Sequence, residues 1–166
     1  VKGQREQFAP EFMSRTEALR AAGGFAMLPL AWGSDDITWF RIALSGGVAS
    51  ISRALTDWRE SPLQISRSGD ATLRLEAVDR YISMLRELIG EAMPRETAGR
   101  EPLAEAGSLL ESYAARQKEH LVAVNALNAP VSDHLDFFLR NRRKHRLTVR
   151  GLIYSLYLKA RKGSFV

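Results

Sequence analysis

D-A-T-L-R-L-E-A-V-D-R-Y-I-S-M-L-R-E-L-I, residues 70 to 89, places Ala71, Leu75, Val78, Ile82, Leu85 and Ile89 on one stripe at the three- and four-residue spacing of a helix face. Leu73, Tyr81 and Leu88 widen that stripe, and Asp70 stands where an amino-terminal cap is needed. Glu76 and Arg80, four apart in the favourable order, suit the exposed side. Strict alternation of apolar and polar residues persists nowhere in the 166 residues, whereas this spacing recurs almost throughout. The chain therefore reads as all-α, a bundle of about six helices, several of them long and amphipathic.

Beyond this helix, Met93-Pro94 and the run to Arg100 read as a polar loop. Pro102 opens another long helix, with Leu103, Ala106, Leu110, Tyr113, Gln117, Leu121, Val124 and Leu127 at heptad-like spacing and Asn128-Ala129-Pro130 at its end. Ser132 and Asp133 then cap a helix that buries Leu135, Phe138 and Leu139 before turning wholly basic. An apolar stripe unbroken as far as Ala160 would carry Arg142 and Arg146 inward, so a break between Arg146 and Thr148 is cheaper. Thr148 caps the last helix, whose stripe is Val149, Leu152, Ile153, Leu156 and Ala160 and whose end is Gly163.

Working back from Asp70, a loop spans Pro62 and S-R-S-G-D. Ile37, Phe40, Leu44, Val48, Ile51, Leu55 and Trp58 keep helical phase through Gly46-Gly47, which predicts one helix of about seven turns capped by Ser34. Its two interior glycines cost about 2 kcal/mol of propensity. F-A-M-L-P-L-A-W-G before it reads as a buried connector or a short irregular helix, and a first helix from Pro10, with Phe12, Thr16 and Leu19 on its stripe, stops at Gly23-Gly24. Trp32, Trp39, Phe40 and Trp58 read as a core cluster, although Trp39 lies off the stripe and an exposed indole beside Arg41 would mark an interface. Residues 1–166 are expected to form a single helical domain, with a sub-boundary at residues 61–69 between an aromatic-rich front and a basic-ended back.

Hydrophobic residues at 45% and charged residues at 26% are ordinary globular values. The absence of cysteine excludes disulfides, thiol catalysis and cysteine-ligated zinc and leaves the compartment open, with a cytoplasmic setting as the default expectation. No apolar run approaches the ~20 residues of a membrane span. Val1 to Pro10 is polar and reads as a fragment boundary, not a secretory leader.

Charge is segregated. From Phe137 onward there are nine Lys or Arg and no Asp or Glu, so a net charge of +5 divides into a body of −4 and an end of +9. One or two cations suffice to complement a helix dipole. The excess points to an anionic partner and nominates Arg140, Arg142, Arg143, Lys144, Arg146 and Arg150 as a nucleic-acid-binding set, with Asn141 and His145 as further donors. Two helices meeting at a tight corner suit a helix-turn-helix, although the usual glycine is missing. Tyr154 and Tyr157 offer stacking surface for a single strand or, alternatively, pack on the bundle. The expectation is a non-enzymatic nucleic-acid-binding module or accessory subunit. The alternative is a protein-interaction or adaptor domain whose basic end docks an acidic partner, a second copy's acidic body or, as the weakest option, an anionic membrane surface.

Catalytic signals are thin. His120, His134 and His145 are separated by 14 and 11 residues and form no metal-binding spacing. They read as a boundary residue, as first-turn polarity and as part of the basic corner. No G-x-S-x-G occurs, Asp35-Asp36 looks like a helix start, and S-G-G-V-A-S (residues 45–50) lacks the ending of a phosphate loop. Catalytic, cofactor and metal residues are therefore expected to be none.

Overall fold

The computed structural model describes residues 11–51, 70–92 and 100–163. Among them the chain is an all-α helical bundle: α1 (Thr16–Ala21), a 3-10 turn (Pro29–Ala31), α2 (Ser34–Gly46), α3 (Ala71–Ala92), α4 (Arg100–Asn128), α5 (Val131–His145) and α6 (Val149–Gly163). The sub-boundary at 61–69, Leu55 and Trp58, the start at Pro10 and the loop from Met93 lie outside the described residues.

The helix read from residues 70 to 89 forms as its pattern dictates. Asp70 Oδ2 accepts the N–H groups of Thr72 and Leu73 at 3.1 and 3.2 Å, two of the donors a helix start leaves free. Leu75, Val78, Tyr81, Ile82, Leu85 and Leu88 are buried along α3, while Leu73 stays outside. Helix α4 runs antiparallel to it, since Leu75 shares a cluster with Val122 whereas Leu85 and Leu88 share another with Leu110 and Ala114. These two helices thus carry two cores. One gathers Ala26, Leu28 and Ile37 from the front of the chain around Tyr81, and the other seats Phe137, Phe138 and Leu147 from the back. Each fully buried leucine, isoleucine or phenylalanine contributes ~1.5–3 kcal/mol relative to exposure.

The front of the chain departs from expectation in five places, the first being Phe40, read as core but 43% exposed. Helix α1 starts at Thr16, so Phe12 precedes it, although Gly23 and Gly24, at φ 82° and 81°, do end it. Helix α2 is capped by Gly33 at φ 73°, not by Ser34, which is buried in its first turn. That helix stops at Gly46 because Gly47 turns to φ 74°, and Val48 and Ile51 are exposed. Apolar phase ran on, but the backbone did not. Trp39, finally, is half-buried: its ring stacks on Phe12 at 5.6 Å and meets the Phe25 ring edge-on at 5.9 Å. The connector behaves as read, with Ala26 and Leu28 buried and the chain kinked at Leu30 (φ 57°). Thr38 ties it to α2, since its Oγ1 accepts the Ala26 N–H at 3.0 Å and donates to the Ser34 carbonyl at 2.6 Å.

At the back, α5 begins at Val131 after Pro130 without a side-chain cap, which corrects the role given to Ser132 and Asp133. Its inward face is His134, Phe137, Phe138, Asn141 and His145, while Leu135 and Leu139 point out, Leu139 at 68% exposure. Thr148 caps α6 as expected, its Oγ1 accepting the Gly151 N–H at 3.0 Å. No described helix is long and apolar enough to cross a membrane.

Candidate nucleic-acid interface

The corner between α5 and α6 is closed by a six-to-one hydrogen bond, Leu147 N–H to the Arg142 carbonyl at 3.0 Å, with Arg146 between them at φ 54°, ψ 43°. This is the left-handed ending of a helix that glycine serves best. An ordinary residue there bears ~1 kcal/mol of backbone strain. The turn sends Leu147 into the second core and leaves the Arg146 guanidinium outside.

The six nominated cations, Arg140, Arg142, Arg143, Lys144, Arg146 and Arg150, are all exposed at or near this corner. Arg140 pairs with Asp136 one turn back, and Lys144 pairs with Glu76 of α3. Exposed pairs of this kind contribute little and open readily. Arg142, Arg143, Arg146 and Arg150 have no carboxylate partner among the described residues.

Asn141 and His145 do not join that set. Asn141 is buried and donates back to the Phe137 carbonyl at 2.9 Å. His145 is 1% exposed; its Nδ1–H reaches Asp79 Oδ2 at 2.6 Å, and the same carboxylate pairs with Lys118. Lys118 in turn donates to the His145 carbonyl at 2.9 Å, satisfying an end-of-helix acceptor. Asp79 of α3 and Lys118 of α4 therefore hold the last turn of α5 from beneath. The basic side chains are displayed on top of a fixed support.

His134 also differs from its reading. It is fully buried, with Nδ1 at 2.8 Å from Asn125 Oδ1 and Nε2 at 2.9 Å from Ser155 Oγ, so it joins α4, α5 and α6. Serine, histidine and amide in that order resemble a nucleophile, its base and its orienter. Both Ser155 and His134 are 0% exposed, so no substrate reaches them and the set is a brace. Burial lowers the His134 pKa, and Lys159 lowers it further. The folded state thus favours the neutral ring. The stability this contributes is complete above the ordinary histidine value of about 6.5 and is lost as pH falls below it toward the lowered value. Denaturant melts at pH 7.5 and 5.5 should show wild type losing more stability on acidification than a His134→Gln variant.

Near the end of α6, Lys159 Nζ donates to the carbonyls of Ala126 and Ala129 at 2.8 and 2.6 Å, capping the end of α4. Elsewhere the Tyr81 hydroxyl donates to Asp36 at 3.3 Å, and burial, then the neighbouring Asp35, raises the Asp36 pKa. His120, read as a boundary residue, is exposed. Among the described residues no group of three His, Cys, Asp or Glu is arranged to hold a metal ion. No family model, no curated protein and no solved structure matches the chain.

Proposed function

We propose that the chain is a non-enzymatic nucleic-acid-binding module that grips phosphate at the α5–α6 corner through Arg142, Arg143, Arg146 and Arg150, with Arg140 and Lys144 recruited from their exposed ion pairs. The observation that carries this reading is Arg146. Its left-handed backbone, at an exposed position where glycine is easier, supports a role for the side chain outside the fold. Arg142, Arg143 and Arg150, likewise without a carboxylate partner among the described residues, lie on the same two helices near it, and the net negative charge of the remaining chain disfavours phosphate elsewhere.

About four to six phosphate contacts imply that log affinity for duplex DNA falls with log salt at a slope of about −4 to −5. Changing Arg142, Arg143, Arg146 and Arg150 together to Ser should flatten most of that slope. Absence of duplex binding at low salt, or a slope the substitutions leave intact, defeats the reading. A second variant separates fold from binding. Arg146→Gly relieves the left-handed strain and should raise stability by about 0.5–1 kcal/mol, while reducing the magnitude of the salt slope by about 1.

A further inference from the structure

We infer that the outward face of α6 is a stacking platform for single-stranded nucleic acid, with bases on Tyr154 and Tyr157 and phosphates on Arg150 and Arg161; this rests on the nucleic-acid reading of the adjoining corner. Helix α6 turns a small and polar edge inward, with Gly151 and Ser155 buried and Leu152 and Leu156 half-buried. Ile153, Tyr154 and Tyr157 face out at 64%, 54% and 58% exposure and, with Arg150, line a shallow apolar dish. The sequence pattern allowed these tyrosines to pack on the bundle. Their exposure leaves two aromatic rings largely unpacked among the described residues.

Position along the helix identifies the occupant. At ~100° and ~1.5 Å per residue, Arg150, Tyr154, Tyr157 and Arg161 fall within about 60° of one another along ~16 Å of axis. The order is cation, ring, ring, cation on a single line. Sixteen ångströms accommodates about four nucleotides at the ~3.4 Å per-strand spacing of stacked DNA. Every base offers a π-face and every nucleotide a phosphate, which is the pairing such a line matches. A lipid surface fits less well, because sinking the tyrosines into acyl chains takes the guanidiniums on the same line with them. A second copy docked face to face would bring like charges together.

The test uses the full chain, a labelled poly-dT oligonucleotide and a duplex of equal length, at fixed salt. Tyr154→Ala with Tyr157→Ala should weaken poly-dT binding by about 30-fold or more, since each stacked base is worth ~1–3 kcal/mol. Duplex affinity should stay within about twofold, because the corner arginines are untouched. Replacing both tyrosines by Phe should preserve poly-dT binding, and equal loss in the Phe and Ala pairs overturns stacking. Unchanged poly-dT binding by the Ala pair also overturns it, while an arginine-dependent duplex slope would leave the phosphate grip standing. A wild-type chain that binds neither nucleic acid removes both. Tyrosine-dependent pelleting with phosphatidylserine vesicles, or tyrosine-dependent self-association, without poly-dT binding assigns the face to lipid or to a second copy and overturns the inference.

Discussion

Gly33→Ala is expected to lower the unfolding free energy by about 3 kcal/mol. Two independent costs meet at this residue. Its φ of 73° lies where a side chain costs ~1–2 kcal/mol. A Cβ there would also stand 2.5 Å from Cδ2 of Tyr81. That ring cannot retreat, because it is buried between Trp32, edge-on at 5.4 Å, and Tyr113 at 6.3 Å. Overpacking of this kind costs ~1–3 kcal/mol. Gly24→Ala is the control, since its φ is 81° and nothing lies within 4 Å of an added Cβ. Urea denaturation of the two variants should differ by the clash alone, and equal losses would mean that the Tyr81 ring yields.

Asp79→Ala should cost about 2 kcal/mol, the second-largest loss expected. The substitution leaves the buried His145 Nδ1–H without its acceptor and removes the counter-charge of Lys118. Hydrogen bonds to charged groups are worth ~1.5–3 kcal/mol. The Asp79 side chain is 39% exposed, and water then offsets part of the loss. Changing Lys118 to Met first should reduce the penalty, because one of the two groups relying on Asp79 is then gone. A full, additive loss in the Lys118→Met background would show that the three side chains do not act as a unit.

Local signals made the long helices legible. Asp70, Thr148, Asn128 and the α3 stripe act within a few residues of themselves, so their sequence neighbours are also their structural partners. The break between α5 and α6 was readable for the same reason, because two arginines could not be taken inward at acceptable cost. Helix α2 misled because apolar phase persists through Gly46-Gly47, and phase cannot register that one glycine has turned to positive φ.

The buried polar side chains were read as surface for a different reason. His134, Asn141 and His145 occupy the same three- and four-residue spacing as Phe137 and Phe138. Admitting them to the stripe would have turned the inward face of α5 correctly and released Leu135 and Leu139 to the outside. Their partners, however, are remote: His145 finds Asp79, 66 positions away, and His134 finds Ser155, 21 positions away. Lys159 likewise caps a helix that ended some thirty residues earlier. The nominated basic residues kept their exposed places, and among the described residues no distant carboxylate claims four of them.

The brace centred on His134 bears on how the molecule opens. Asn125, His134 and Ser155 meet at one fully buried ring, and Lys159 fastens the same end of α4 to α6. None of the three helices can separate there without exposing polar groups that the others satisfy. The amides from the second half of α4 through α6 should therefore exchange with deuterium as one cooperative block sharing a single opening free energy. The corner arginines would then ride on a unit that stays closed until it opens as a whole.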